Sequence, residues 1–440
     1  MDYRVREQNE LKPSGVEWLG DIPKNWSLAK IKYLFNIGRG RVIAKTELND
    51  KGIYPIYSSQ TKNNGILGYI NTYDFDCKQI TWTTDGANAG TVFLREGKHN
   101  CTNVCGTLQK KKEDINYRYL FYILKKVTPS YKRPDTNGFK IMNGEMAEIK
   151  VTFPLTVEQQ KIANFLDKKS KTFDDIISNK KLLIKKLEDA KQSLINEVVT
   201  GKLKVCELDG KLQTIKREKD ELVDSKVEWI GDIPNDWQVK KLKYISQILS
   251  SNVDKKSYDN EEKVLLCNYV DVYKNEYITN KIDFMKATAT ESEIKKFSLR
   301  LGDIQITKDS ESPDDIGIPA YVNEKLENVL CGYHLSILRN NQYEVYSKYL
   351  FRFFELVSVR NYFETMAKGV TRYALSLDAF KNLFVPVSDL KEQKQISIYL
   401  DEKCKTFDNT IEKTKQSIIK IKSAKESLIS EAVTGKIEVL

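Results

Sequence analysis

The sequence has 440 residues, 40% of them hydrophobic and 30% charged, which is enough to bury the cores of two or three domains. Its net charge of +10 favours a polyanionic partner without requiring one. No run of about 18 apolar residues occurs and no apolar segment follows the start MDYRVREQNELKP, so we expect neither a membrane span nor a signal peptide. Seven scattered cysteines suit free thiols, which predicts a cytoplasmic location.

A tryptophan segment opens each half of the chain. Residues 16–26 read VEWLGDIPKNW, and residues 227–237 read VEWIGDIPNDW at an offset of 211. A variable body of short β-rich runs follows, as in QITWT at 79–83 and DIQIT at 303–307. The segments that end each body are similar again: an amphipathic helix at 118–124 or 348–354, a glycine-led loop, and a short strand closing on proline. The shared parts therefore indicate a framework, and the dissimilar parts lie where two bodies could bind different things.

A long helix follows each body. Residues 158–203 and 392–437 align without a gap at an offset of 234, and 24 of 46 positions are identical. Both copies are predicted to end at Thr-Gly-Lys, where Gly can take the left-handed stop conformation. Apolar residues on seven-residue steps predict a coiled-coil seam, interrupted at Lys180 and Thr414. The predicted seam residues are Leu166, Phe173, Leu187 and Leu194, with Leu400, Phe407, Ile421 and Leu428.

These repeats predict an α+β chain with two tandem mixed α/β domains separated by two long helices, which pack on each other within the chain. The predicted boundaries are 1–155 for the first body with its tryptophan segment, 156–203 for the first helix, 204–226 for a polar connector, 227–388 for the second body and 389–440 for the second helix.

Few residues suggest catalysis or a metal site. His99, Cys101 and Cys105 have an irregular spacing for zinc, and no phosphate-binding G-x₄-G-K-[S/T] or amino-methyltransferase D/N-P-P-Y/F/W motif occurs. A nuclease-like P-D…E-x-K pattern places Asp135 with Glu148 and Lys150, but it is short and has no counterpart in the second half. We therefore predict no catalytic residues and no metal.

Basic and aromatic residues interleave in the body loops. Lysine and arginine there could neutralise phosphates, and asparagine, arginine and glutamine could contact base edges. The candidates for DNA contacts are Arg133, Lys140, Lys308 and Arg372.

The order and duplication of these segments resemble the specificity (S) subunit of type I restriction–modification systems, over essentially the whole chain. The resemblance rests on the paired EWxGDIPxxW segments, the paired EQ starts of the long helices, the two TGK ends and the dissimilar bodies between them. It implies that the two long helices pair antiparallel within the chain as a spacer, with pseudo-two-fold symmetry. It also implies that each body is a target recognition domain for one half of a split site in double-stranded DNA. Two modification (methyltransferase) subunits and the restriction (translocase–nuclease) subunits would be partners. The chain would be non-catalytic and bind no cofactor, with S-adenosylmethionine, ATP and magnesium used by those partners.

Simple geometry agrees with this resemblance. A helix from residue 158 to residue 200 is roughly 65 Å long, close to the roughly 70 Å of two turns of B-DNA. Two alternatives stay open: a coiled-coil scaffold with two peptide-binding heads, and a self-sufficient nuclease using Asp135, Glu148 and Lys150. The target bases, the gap length and the presence of an active restriction subunit do not follow from the sequence.

Overall fold

The computed structural model describes residues 2–136 and 138–440, which form two compact units. Unit 1 holds the described chain up to Lys181 together with Lys415–Leu440, and unit 2 holds Leu182–Thr414. Each unit contains one body and a part of each long helix. The fold is α+β with two mixed bodies in tandem, as predicted. None of the helices that the structure describes combines the length and apolar character that a membrane crossing needs.

The described residues of the first half of the chain form sixteen strands and four α-helices. The strands are β1 Tyr3–Val5, β2 Leu11–Pro13, β3 Asp21–Pro23, β4 Ser27–Lys30, β5 Phe35–Arg39, β6 Tyr54–Tyr57, β7 Ile66–Ile70, β8 Phe75–Asp76, β9 Gln79–Thr83, β10 Asp85–Gly86, β11 Val92–Arg95, β12 Lys98–Cys101, β13 Cys105–Lys110, β14 Arg133–Asp135, β15 Gly138–Lys140 and β16 Lys150–Phe153. The helices are α1 Ile31–Leu34, α2 Tyr117–Tyr131, α3 Asn143–Glu148 and α4 Thr156–Val199.

Unit 1 is built around a four-stranded antiparallel sheet in the order β11-β9-β13-β5. The predicted strand β9 is buried along its whole length, which explains its unbroken QITWT run of β-formers. Helix α2 covers this sheet with one face, as its amphipathic sequence predicts, and buries Tyr119, Leu120 and Ile123. A second sheet, β7-β6-β12-β8, a small sheet, β10-β15-β14, and the antiparallel pair β16-β4 complete the body.

The second half repeats this plan with different strands. The strands are β17 Leu203–Leu208, β18 Lys211–Lys216, β19 Leu222–Asp224, β20 Asp232–Pro234, β21 Gln238–Lys241, β22 Ser246–Ser250, β23 Glu262–Cys267, β24 Tyr277–Ile278, β25 Met285–Ala289, β26 Ile304–Thr307, β27 Asp309–Ser310, β28 Pro319–Val322, β29 Val329–Cys331, β30 Leu335–Asn340, β31 Lys368–Gly369, β32 Tyr373–Ala374, β33 Phe384–Val387 and β34 Ile437–Val439. The helices are α5 Leu242–Ile245, α6 Tyr269–Lys274, α7 Glu291–Phe297, α8 Ser347–Phe354, α9 Val357–Met366, α10 Leu377–Lys381 and α11 Leu390–Thr434.

Unit 2 is centred on a five-stranded sheet in the order β22-β30-β26-β28-β24. Strand β26, like β9, is fully buried and flanked on both sides. Helix α8 packs its aromatic face into the main core of the unit, with Tyr349, Phe351 and Phe353 buried. A second core lies between this sheet and the sheet β25-β23-β29. The predicted strands and body helices are therefore present in both halves.

The long helices run antiparallel within each unit. In unit 1, Lys425 Nζ lies 2.8 Å from Asp174, and the start of α4 shares a core with the end of α11. In unit 2, Lys191 Nζ lies 2.8 Å from Asp408, and the end of α4 shares a core with the start of α11. Since 174 + 234 = 408 and 191 + 234 = 425, the two ion pairs are the same pair under the sequence repeat.

The predicted seam residues differ in burial. Leu166 and Leu400 are fully enclosed, whereas Leu194 and Leu428 are half-buried against the cores of their units. The remaining four are also only half-buried: Phe173, Leu187, Phe407 and Ile421. Thr414, predicted to interrupt the seam, is itself buried and continues the seven-residue row from Leu400. The most buried positions near the middle are Ile177, Ile411, Thr414 and Ile418.

Both long helices end as predicted, at a left-handed glycine. Gly201 has φ +75° and Gly435 has φ +74°. A Cβ on Gly201 would lie 2.5 Å from the ring of Pro234, and one on Gly435 would lie 2.4 Å from the ring of Pro23. Each TGK end therefore requires glycine for two reasons: its left-handed backbone conformation and the close approach of the tryptophan segment.

The segment predicted as a polar connector is a β-hairpin. Strands β17 and β18 pair antiparallel, and Val205 is buried. Asp209 and Gly210 both have positive φ at the turn, as in a type I′ hairpin, and the Asp-Gly pair is the signal for it. In unit 1, strand β1 pairs antiparallel with β34 in the equivalent place. This two-stranded sheet, made from the first and last strands, corresponds to the hairpin of unit 2.

Candidate nucleic-acid interface

The repeated sequence motifs build the same framework in both units. Glu158 accepts hydrogen bonds of 2.9 Å from Arg6 and from the indole of Trp26. Glu392 accepts hydrogen bonds of 2.6 Å from Arg217 and 2.9 Å from the indole of Trp237. The glutamate of each EQ pair thus ties the tryptophan segment to the start of a long helix. Arg6 and Arg217 were not among the residues predicted from the sequence, although they are related by the same offset of 211 as the tryptophans.

The glutamine of each EQ pair is buried and satisfies backbone groups. Gln159 accepts from the backbone N–H of Asn116 at 2.9 Å, and Gln393 accepts from that of Tyr346 at 2.7 Å. The identical motifs therefore hold the body helices on the long helices.

The strand ends of unit 1 converge at one edge of the main sheet, which we call loop edge 1. The pairings Gly106↔Arg39 and Cys105↔Thr83 bring together the end of β5, the start of β13 and the end of β9. The small sheet β10-β15-β14 continues this edge, and Asp85 of β10 lies 3.5 Å from Arg39 and 3.8 Å from Lys140.

Unit 2 has the matching loop edge 2, where β22 and β26 end and β30 begins. Asp309, at the start of β27, takes the place of Asp85 and binds His334 Nδ1 at 2.6 Å and Arg372 at 3.0 Å. Burial lowers the pKa of His334, while Asp309 acts in the opposite direction. A cleft of about 790 Å³ opens beside these residues, and the stacked rings of Tyr269 and Tyr273 form part of its lining.

The predicted DNA contacts all lie on these loop edges, but they are engaged within the protein. Arg133 pairs with Glu145 at 2.8 Å, and Lys140 pairs with Asp135 at 2.9 Å. Half of the Arg372 side chain is exposed beside Asp309. Lys308 is half-buried and donates to the carbonyl of Ser251 at 2.7 Å, and burial lowers its pKa. A phosphate at these positions would compete with a carboxylate or a carbonyl, which lowers the net gain from each contact.

The two carboxylates of the nuclease-like pattern are also paired within the protein. Glu148 accepts hydrogen bonds of 2.6 Å from Lys30 and from Lys32, which lower its pKa to about 2. The Asp135 carboxylate is paired with Lys140, which lowers its pKa. These contacts give both carboxylates a structural role in holding neighbouring chain segments.

The His99 cluster is part of the core of unit 1. The ring of His99 bonds to Gln79 at 2.8 Å and to the carbonyl of Gly97 at 2.7 Å, and it stacks on Phe75. Cys101 and Cys105 are buried thiols, and burial raises the pKa of Cys105 to about 11. Both ring nitrogens of His99 thus have partners within the protein.

Comparisons with known proteins match this framework. The family model described as Type I restriction modification DNA specificity domain matches residues 23–186 and 234–423. The N-terminus of a type I specificity subunit of Mycoplasma pneumoniae is 44% identical over 139 residues, which cover 31% of this chain and 74% of that one. The specificity subunit of the type I restriction enzyme MjaVIII of Methanocaldococcus jannaschii is 25% identical over 473 residues, with 99% and 97% covered.

A solved structure supports the fold. A chain from work on complex assembly and conformational transition of a type I R–M system superposes with a TM-score of 0.69 at 13% identity, over 94% of this chain and 99% of that one. The family model alone covers more than half of the sequence, once in each half. The chain therefore belongs to the family of type I restriction–modification DNA specificity subunits.

Proposed function

We propose that loop edge 1 and loop edge 2 each recognise one half of a bipartite, gapped DNA site, and that the two long helices set the gap. One observation carries this proposal: the two units share their framework contacts but differ at their loop edges. Glu158 and Glu392 make equivalent contacts, whereas Tyr269 and Tyr273 of the unit 2 cleft lie on α6, which the described residues of unit 1 do not repeat. Two half-sites of different sequence follow from two different edges.

An exchange of bodies tests this division of labour. Replacing residues 27–155 with the matching body of another specificity subunit should change one half of the methylated motif and leave the other half intact. The readout is methylome sequencing of a host that supplies the methyltransferase subunit. A change in both halves would show that the units do not read DNA independently.

Two methyltransferase subunits are proposed to bind the exposed sides of the long helices. Many exposed positions are identical between the two copies although packing does not require it. The set in unit 1 is Lys171, Thr172, Lys420, Ala424 and Ser427, and the equivalent set in unit 2 is Lys405, Thr406, Lys186, Ala190 and Ser193. A surface that occurs once in each unit suits two copies of one partner.

Charge reversal tests the docking surface one unit at a time. Lys420→Glu should weaken binding of one methyltransferase subunit and Lys186→Glu binding of the other, so native mass spectrometry should show complexes with a single methyltransferase. Lys413→Glu is a matched control, because Lys413 is exposed and its repeat counterpart is Asn179. Unchanged binding of two subunits by both variants would exclude this surface.

We further propose that the chain is non-catalytic and that S-adenosylmethionine, ATP and magnesium act on the methyltransferase and restriction subunits. DNA incubated with the purified chain and magnesium should stay intact, and cleavage would revive the nuclease alternative. We expect the chain to bind DNA with an affinity that falls steeply as the salt concentration rises. The scaffold alternative predicts no DNA binding.

A further inference from the structure

A second loop leaves loop edge 1 and carries none of the residues predicted from sequence. It is formed by residues 58–65, SSQTKNNG, between β6 and β7, and we call it the asparagine loop. Ser58 Oγ lies 3.2 Å from Thr102 Oγ1, and the carbonyl of the next residue, Asn103, accepts a hydrogen bond from Arg39. The loop is thus continuous with the strand ends that form loop edge 1.

The tip of this loop has an unusual backbone. Asn63, Asn64 and Gly65 follow one another in the left-handed region, with φ of 49°, 51° and 77°. Non-glycine residues enter that region at a cost in free energy, so a run of them persists only where the surroundings fix it. Asparagine tolerates it better than most residues, which explains its presence but not the need for such a tip.

A buried arginine fixes the tip. Arg95 is 2% exposed and donates to the backbone carbonyl of Asn64 at 2.8 Å. Its guanidinium lies 3.5 Å from the ring centroid of Tyr57 and 4.2 Å from that of Phe93, and no carboxylate among the described residues forms an ion pair with it. Its Nε also donates to the hydroxyl of Thr81 at 3.3 Å. Burying a cation without a carboxylate partner costs free energy. Its effect is to hold the loop in one conformation.

The side chains at the tip are free. Lys62, Asn63 and Asn64 are exposed, and neither asparagine amide has a hydrogen-bond partner within the part of the chain that the structure describes. This distinguishes them from the paired cations Arg133 and Lys140 on the same edge. Two free amides on a backbone that is held in one conformation offer donors and acceptors at a defined place on the edge, which suits contact with a base edge.

We propose that Asn63 and Asn64 are specificity-determining residues of unit 1 that contact base edges, with adenine the base their amides fit best, and that Arg95 is their positioning residue. An asparagine amide can donate to N7 and accept from N6 of adenine at the same time. Lys62 beside them contacts phosphate. This inference rests on the proposed function, since it assigns residues to one of its two readers.

The test is the double variant Asn63→Gly with Asn64→Gly, assembled with the methyltransferase subunit. Glycine keeps the left-handed backbone without a Cβ, so the variant should fold with a wild-type thermal midpoint. Discrimination should fall by roughly 5- to 150-fold at one or two positions of one half-site, the range for losing a bidentate base contact. The other half-site and the salt slope should not change, whereas Lys62→Ala should lower the slope by about one and keep the motif.

Two further variants make the outcome decisive. Asn63→Asp with Asn64→Asp keeps side chains that tolerate the left-handed region but replaces the amides by acceptors, which should move the preference at the same positions toward cytosine. Asn328→Gly is the matched control, because Asn328 is exposed with φ 54° in unit 2 and should leave the motif unchanged. If the glycine and aspartate variants methylate the wild-type motif with wild-type fidelity, the inference is wrong while the proposed function stands. A wild-type complex without a bipartite motif would overturn both.

Discussion

If the long helices measure the distance between the half-sites, shortening them together should shorten the gap. Helices α4 and α11 have 44 and 45 residues, and removing residues 180–186 and 414–420 takes seven from each at positions related by the offset of 234. Both ion pairs between the helices lie outside the deleted segments. Seven residues correspond to about 10 Å of helix and therefore to about 3 base pairs, or about 100° of rotation about the duplex.

The expected result is methylation of the same two half-sites with a gap about 3 base pairs shorter, or loss of methylation where the rotation cannot be absorbed. Methylome sequencing of a host that expresses the variant with its methyltransferase gives the site and the gap together. Exchanging residues 180–186 with 414–420 is the matched control, because it alters the same positions and keeps the helix lengths. A folded deletion variant that still methylates the original site at the original gap would refute the measuring role.

The structure makes three further predictions. Gly201→Ala should lower the free energy of unfolding by about 2–5 kcal/mol, because it adds left-handed backbone strain and a clash with Pro234. Gly231→Ala should cost only about 1–2 kcal/mol, because its φ is also positive but no atom lies near its Cβ position. Urea unfolding of both variants measures the difference. Leu166→Ala should cost about 2–5 kcal/mol and Phe173→Ala clearly less, since only Leu166 is fully buried; equal losses would contradict the burial difference. Arg372→Gln should lower the salt slope of DNA binding by about one for every sequence alike, and an unchanged slope would remove it from the interface.

The repeats in the sequence were sufficient to predict the framework. Two copies of one pattern must satisfy the same packing, so each copy supports the prediction made from the other. The structure has the predicted elements at the predicted places: both helix ends, the buried strands β9 and β26, and the helices α2 and α8. The hairpin β17–β18 was missed although its Asp-Gly turn was visible, because the many lysines around it suggested a solvated connector.

The loop edges were harder to predict, because their properties depend on partners that are distant in sequence. Lys140 and Arg372 look like free cations in the sequence, yet Asp85 and Asp309, more than fifty residues away, lie beside them. The asparagine loop shows the same dependence, since Arg95 holds Asn64 from thirty-one residues away. Composition finds the candidate residues, but tertiary contacts decide which of them are free to bind.

The two ion pairs between the long helices have a consequence for a chain of half the length. Asp174 and Lys191 lie on one helix, and each pairs with the repeat counterpart of the other. Residues 1–210 alone thus carry both members of the pair. Two such chains could place Asp174 of each opposite Lys191 of the other, and β1 of each could pair with β17 as it now pairs with β34. The result would be a symmetric homodimer with two identical readers, and its DNA site would be a gapped palindrome.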